Sequence, residues 1–333
     1  MSEADDLRAA LARLPPPDQA AMRAVANRAA DVLRPRGALA RFDDLAVWLA
    51  GWQRTDRPRV SAPGALVFVA DHGVAVEGVS AYPATVTGEM LRALRGGRAT
   101  ASVLALELGA TLSVIDVGVG RPTGNLAIEP AMDPERFDRC IGAGRRAVAE
   151  SGADVVVLGE MGIGNTTAAA AVCAAVFGTR SGSWVGRGTG IDDEAMARKR
   201  KVVAADRRRI AAVRDPLEIL RHVGGSELAA LAGATVEARQ RSIPVVLDGF
   251  VVGAAVAPLV ALEPAALDHC LAGHLSAEPG HRRLLRRLGM TPLFDLGLRL
   301  GEASGGLAAL ALLRLAAAAV TEVATFAEWG IER

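Results

Sequence analysis

The amino-acid sequence predicts an α/β fold: a parallel-sheet domain with helices on both faces, plus a small helical domain built from both ends of the chain. Three observations carry this reading. From residue 65 onward short apolar runs recur, each ending in glycine or a carboxylate. Helix-like segments separate them, and strand, helix, strand at this spacing builds a parallel sheet covered by crossover helices. Residues 1–53, and a long stretch after Glu302, read as helices with no strand among them.

The chain has 333 residues, which at roughly 150 residues per domain means two domains, or one with an appendage. The expected division sets residues 1–55 with 303–333 as the helical part, and 60–302 as the large α/β part. Half the residues are apolar but only 4% are aromatic, so the core must be Ala, Val and Leu. Lys plus Arg number 38 and Asp plus Glu 37, a net charge of +1. That balance gives no reason to expect nucleic acid or an acidic membrane as partner. Cys140, Cys173 and Cys270 are far apart and form no CxxC. They read as reduced thiols of a cytoplasmic protein, not as a disulfide frame or zinc site. The acidic N-terminus has no basic region or long apolar core, so no signal peptide is expected. Gly305–Val320 is alanine-rich and carries Arg314; it is shorter than the ~20 residues of a membrane span and reads as a packing helix.

In order along the chain, "PPP" at Pro15–Pro17 separates a first short helix from a second, Asp18 to about Leu33. "RPRG" breaks the chain, and "DDLAVWLAGWQ" opens a third helix with acidic residues. Leu45, Trp48, Leu49 and Trp52 fall on one of its faces. After the linker "RTDRPRVSAPG" come the candidate strands "ALVFVADHG" (65–73), "TLSVIDVGVG" (111–120), "DVVVLGEMG" (154–162) and "IPVVLDGF" (243–250). "LDHCLAGH" (267–274) and "TPLFDLG" (291–297) are weaker cases. The early runs are continuous, as for strands buried on both faces. "GEMLRALRGGRATASVLALELG" and "DDEAMARKRKVVAADRRRI" are among the intervening helices. Ligands of such sheets sit beyond the carboxyl ends of the strands, where the polar residues here collect, so one pocket rimmed by several loops is expected.

"GEMGIGNTT" places Gly159, Gly162 and Gly164 between a strand and a helix. Glycines let backbone amides approach an anion, and the helix start adds partial positive charge. Asn165, Thr166 and Thr167 can supply a cap and further donors. The turn lacks the Lys-Ser/Thr pair of a triphosphate-binding loop and is not GxGxxG. Amides and hydroxyls alone suit a single phosphate, and Glu160 stands at the mouth. "GRGTGIDD" is a second glycine turn, where Arg187 or Thr189 can add to anion binding while Asp192 and Asp193 open a helix. Lys199 and Lys201 follow among arginines. Residues 70–87 form a long irregular segment holding Asp71, His72, Glu77, Ser80 and Tyr82, the only tyrosine. Long loops in compact domains are usually functional. No second histidine lies at helical spacing from His72, so no metal site is expected. Glu302 stands just before a helix; it is either structural or, facing an apolar pocket, a base. There is no GxSxG and no HExxH.

Taken together and in this order, "ADHGVAVEGVSAYP", "GEMGIGNTT", "GRGTGIDD" with "ARK", "LDGF", "AGHLSAEPGH", "LGEASGG" and "ATFAEWGI" resemble the nicotinate-nucleotide–dimethylbenzimidazole phosphoribosyltransferase family. The resemblance implies a Rossmann-like α/β domain with a small helical domain, a homodimer, and small-molecule substrates. The implied reaction transfers 5-phosphoribosyl from nicotinate mononucleotide to dimethylbenzimidazole, with inversion at the anomeric carbon. It requires no metal and no cofactor. It implies a phosphate cradle of Gly162, Ile163, Gly164, Asn165 and Thr166, helped by Gly190 and Lys199. Glu302 would be the base, and Glu160 would lie near the ribose. Ser80, Tyr82, Met161 and Leu300 would wall the base pocket, and Asp248 of "LDGF" would join the substrate site. Ala84 and Gly88 stand where the family often carries glutamine, which implies a broadened or altered acceptor preference.

Overall fold

A computed structural model describes residues 2–332; Met1 and Arg333, the two ends of the expected helical part, lie outside the described residues. The chain opens with three helices, α1 (Glu3–Leu11), α2 (Gln19–Asp31) and α3 (Ala40–Gln53). Ser2 and Asp5 form a reciprocal capping box at the start of α1. Asp18 caps α2 by accepting from the amides of Ala20 and Ala21. α3 starts at Ala40, a few residues ahead of the acidic pair expected to open it; Asp43 falls in its first turn and pairs with the guanidinium of Arg34. Leu45, Leu49 and Trp52 are buried as expected, but Trp48 is only partly covered and donates its indole N–H to the Asp268 carbonyl at 3.0 Å.

Alternating strands and helices follow: β1 (Pro63–Ala70), α4 (Val86–Arg95), α5 (Thr100–Glu107), β2 (Thr111–Gly118), α6 (Pro134–Ser151), β3 (Val155–Met161) and α7 (Asn165–Val176). Then come α8 (Asp193–Arg209), α9 (Pro216–Val223), α10 (Ser226–Gln240), β4 (Val245–Leu247), α11 (Phe250–Leu262), β5 (Cys270–Ala272), α12 (Pro279–Arg287) and α13 (Ser304–Thr321). The segment read as one helix from Gly88 divides into α4 and α5 at Gly96–Gly97, where Gly97 turns left-handed at φ 71°. "TPLFDLG" is not a strand. Pro292 has no amide to donate, and the segment touches the sheet region by one bridge, Phe294 to His274.

The sheet has five strands in the order β2-β1-β3-β4-β5, all parallel. β1 and β3 lie at its centre and are buried throughout β1 and through Glu160 of β3. Side chains alternate across the sheet. Leu66, Phe68, Val156 and Leu158 face a core shared with α6, α7, α10 and α11. Ala65, Val67, Val69, Val155 and Val157 face a second core with α3, α5 and α13. β2 departs from the expectation of burial on both faces: it is the edge strand, and most of its length is only partly covered.

α13 is long and apolar enough to pass for a membrane span by length and composition, yet 61% of it is buried inside the protein. Its first half packs on β3 and β4, and its far end meets α2 and α3 around Val25, Ala46, Ala50 and Val320. Arg28 of α2 ties the C-terminal segment to this cluster through Glu328 and the carbonyls of Val320 and Val323. α1 instead packs on α6 and α10, with Leu7 and Leu11 in the large core.

The chain reverses direction across the sheet between β1 and β3. Their carboxyl ends therefore diverge into loops that open a crevice, the place where open parallel sheets bind ligands. The backbones of α6 and α10 lie nearly in contact on the covering layer: a Cβ on Gly144 would stand 1.8 Å from the Ala230 carbonyl oxygen. Gly144→Ala is expected to lower stability by about 3 kcal/mol or to prevent folding. Gly182→Ala, where a Cβ meets nothing within 4 Å, should be near neutral. Urea unfolding of both variants measures this; an unchanged midpoint for Gly144→Ala would contradict the packing.

Candidate active site

β3 delivers Glu160 and Met161 to the carboxyl rim, and the chain then turns sharply into α7. Gly162 is required there because a Cβ would come 2.5 Å from the Ala70 carbonyl of β1. Gly164, at φ 100°, is the N-cap of α7, a conformation that suits glycine. No side chain caps this helix, so the expected capping by Asn165, Thr166 or Thr167 does not occur. Asn165 donates its side-chain amide to the Glu160 carboxylate instead. Thr166 accepts from the Lys199 ammonium at 2.7 Å, and Thr167 is buried. The Ile163 amide donates to the Thr87 hydroxyl at 3.2 Å.

A cavity of about 420 Å³ opens at this turn, within the range of small-ligand sites. Of the expected site residues, Tyr82, Glu160, Met161, Gly162, Ile163, Asn165, Thr166 and Leu300 line it. Ser80, Gly164, Gly190, Lys199, Asp248 and Glu302 are not among the lining residues. The Ser80 hydroxyl lies 3.2 Å from that of Thr189, which also accepts from the Ala81 amide at 2.9 Å. This joins the long loop after β1 to the second glycine turn. Gly164 and Gly190 are both left-handed, at φ 100°, and shape the two turns. Lys199 is fully buried, held by Thr166 and by the Gly186 carbonyl at 3.1 Å. Asp248 is 1% exposed and accepts from the Gly306 amide at 2.8 Å. Glu302 is 3% exposed and directly follows Gly301, which lines the cavity. Ala84 and Gly88 do not line it; a Cβ on Gly88 would meet only Val119, at 3.8 Å.

Sequence reasoning missed part of the wall. Phe250, His274, Ser276, Glu278 and Arg299 also line the cavity. Glu278 accepts from the Gly188 amide at 2.8 Å, and Arg299 reaches the Gly188 carbonyl at 3.3 Å. "AGHLSAEPGH" held three of these residues, but nothing in its spacing shows which of them face inward. Asp192, as expected, caps α8 by accepting from the Ala195 amide at 2.8 Å.

The charges here are buried and mostly of one sign. Burial, with repulsion from Glu227, Asp248 and Glu302, pushes the Glu160 carboxyl well above its ordinary range. Burial and the Asp248 carboxylate raise Glu302 to about 7. Burial lowers Lys199 to about 8, opposed by Glu278. Glu302 is therefore poised to exchange a proton near neutrality, as a general base must. Its Oε2 has no hydrogen-bond partner. Its backbone is left-handed at φ 60°, and so is that of Ala303 at φ 68°. Two such non-glycine residues in a row are unusual, and strain of this kind collects at functional sites. Beneath the turn, the His72 ring nitrogen lies 2.5 Å from the Glu227 carboxylate, both fully buried. Among the described residues no group of three or more His, Cys, Asp or Glu side chains is arranged to hold a metal ion.

Comparison with known proteins agrees with this geometry. A family model described as "Phosphoribosyltransferase" matches residues 14–331. The nicotinate-nucleotide–dimethylbenzimidazole phosphoribosyltransferase of Mesorhizobium japonicum is 48% identical over 330 residues, covering 98% of this chain and 97% of that one. The protein of the same name from Cereibacter sphaeroides is 46% identical, covering 97% of this chain and 96% of its own length. The crystal structure of CobT from Thermus thermophilus superimposes with a TM-score of 0.90 at 41% identity, covering 94% of this chain and 99% of that one. The fold, the full-length identity and the matched motifs lead to one conclusion: the chain belongs to the nicotinate-nucleotide–dimethylbenzimidazole phosphoribosyltransferase family.

Proposed function

We propose that this cavity transfers the 5-phosphoribosyl group of nicotinate mononucleotide to a ring nitrogen of 5,6-dimethylbenzimidazole. The products are nicotinate and α-ribazole 5′-phosphate, in the service of cobalamin biosynthesis. One observation carries the residue assignment: Glu302, a buried carboxyl with an unpartnered oxygen and a pKa raised to about 7, donates its amide to the carbonyl of Glu160, the residue that leads into the glycine turn.

In this reading the turn Gly162–Thr166 holds the 5′-phosphate at the start of α7, where the helix favours negative charge, on amides other than those of Ile163 and Asn165, which donate to Thr87 and Gly162. Lys199 lends positive charge through Thr166, and Gly190 shapes the neighbouring turn. Met161, Tyr82 and Leu300 offer apolar surface to a flat bicyclic base, with Ser80 fixing the loop that carries Tyr82. A neutral benzimidazole is a weak nucleophile. As one ring nitrogen bonds to the anomeric carbon, Glu302 takes the proton from the other, so no cationic product forms. The bond to nicotinate breaks and its electrons return to the pyridine nitrogen. Attack opposite the leaving group inverts the β centre to α. Glu160, close to the ribose, holds the sugar's hydroxyls by hydrogen bonds.

A homodimer in the cytoplasm is part of the same reading. β2 is an open sheet edge, and α5 beside it exposes Val103 and Leu106 at 49% and 78%. All three cysteines are free and buried, as suits a reducing compartment. The retained Glu302 speaks against a homologue that binds the mononucleotide without turning it over. A broadened acceptor range is a separate part of the proposal: it is motivated by Ala84 and Gly88, which stand where the family often carries glutamine, although neither lines the cavity. With dimethylbenzimidazole, other benzimidazoles and adenine competing in one assay, turnover of several bases is expected; sole use of dimethylbenzimidazole would refute the broadened range.

Two further outcomes are expected. Purified protein should release nicotinate only when mononucleotide and dimethylbenzimidazole are both present, and Glu302→Gln should lower kcat by about 100- to 10,000-fold with mononucleotide binding retained. Near-normal turnover in that variant would remove Glu302 from the role of base. The same substitution should stabilise the fold at pH 8. Glu302 is raised from 4.5 unfolded to about 7 folded, so its contribution is intact below pH 4.5 and is lost as pH rises through 7. Removing the carboxylate should recover about 1–3 kcal/mol at pH 8 and almost nothing at pH 4. Denaturant unfolding at the two pH values measures this, and an equal effect at both would contradict the assignment.

A further inference from the structure

We infer that Asp248 is a positioning residue for Glu302: it is the remote cap of α13 and holds the left-handed turn that presents the base to the cavity. The inference rests on the base role proposed above. Family resemblance places Asp248 with the substrate, but its geometry points elsewhere. It follows β4 directly, is 1% exposed, and does not line the cavity. One carboxylate oxygen accepts from the Gly306 amide at 2.8 Å, and the nearby amides of Gly305 and Ala303 favour the charged carboxylate. α13 has no side-chain cap of its own, since its N-cap is Ala303. Asp248 supplies that cap from 58 residues away along the chain.

The turn needs such an anchor. Left-handed backbone at a non-glycine residue costs about 1–2 kcal/mol, and here Glu302 and Ala303 adopt it in succession. The surroundings enforce it. A Cβ on Gly159 would stand 2.4 Å from the Ala303 amide nitrogen, and one on Gly306 would stand 2.4 Å from Val157. The Glu302 amide donates to the Glu160 carbonyl at 3.2 Å, and the Asp248 amide to the Leu158 carbonyl at 3.2 Å. The start of α13 is thus clamped between β3 and β4, with Asp248 as the charged member of the clamp. That charge also acts on the base. The ionisable groups facing Glu302 are Asp248 and Glu160, and His274 faces Asp248 at 3.7 Å. Repulsion from Asp248 adds to burial in raising Glu302's proton affinity.

The test compares kcat–pH profiles and mononucleotide affinity, by calorimetry, for three variants. Asp248→Asn keeps an oxygen for the Gly306 amide and removes the charge. Its acid limb should move down by about half a pH unit or more, with Kd for nicotinate mononucleotide within about threefold of the parent. Asp248→Ser, which keeps a smaller uncharged acceptor, should shift the limb the same way and provides the reading if the asparagine variant does not fold. Asp248→Ala should lower kcat by about 100-fold with Kd again little changed. An unmoved acid limb, or a loss of mononucleotide affinity that matches the loss of kcat, would overturn the positioning role and restore Asp248 to the substrate site. Near-normal turnover in Glu302→Gln is a different result, because it defeats the base role itself.

Discussion

The site depends on one packing constraint: the start of α13 is pressed against the carboxyl ends of β3 and β4. Gly159 and Gly306 permit the approach, since a side chain on either would collide with Ala303 or Val157. The consequence is electrostatic. Glu160, Asp248 and Glu302 come together where water is largely excluded. Carboxylates in such a place hold their protons more tightly than in water. A sheet built for tight packing therefore yields an acid near neutrality at the edge of a ligand cavity.

The anion side of the site uses the opposite means. In the proposed reading it relies on backbone amides at a helix start and on a lysine that donates to Thr166 rather than reaching into the cavity. Burial weakens that lysine's hold on its proton, to about 8, yet leaves it charged at neutral pH. A single phosphate asks for no more than this, whereas a triphosphate requires a cation in direct contact. In the proposed reading, separate means for the two halves keep the positive charge near the phosphate and the proton acceptor near the base.

Much of this was legible in the sequence, for identifiable reasons. Strands at 65–73, 154–162 and 243–250 announced themselves because both their faces are buried and their apolar runs are unbroken. β2 carries the same kind of run yet lies at the edge, and strand position in a sheet leaves little mark on composition. "TPLFDLG" misled because its apolar residues pack on the core without pairing along the sheet. In the site, Glu160 to Thr166 were readable as a strand–turn–helix. His274 and Glu278 were not, because they reach the cavity from a different loop and only the fold brings them there. The resemblance placed Asp248 of "LDGF" in the substrate site. That it accepts from the Gly306 amide at the start of α13 depends on a contact between residues distant in the chain.

The most direct test of the account is a crystal structure with a mononucleotide analogue and dimethylbenzimidazole bound together. The account predicts the phosphate on the amides of the Gly162–Thr166 turn and a Glu302 oxygen about 3 Å from a ring nitrogen of the base. A phosphate bound elsewhere, or a Glu302 carboxyl out of reach of that nitrogen with both ligands in place, would contradict it.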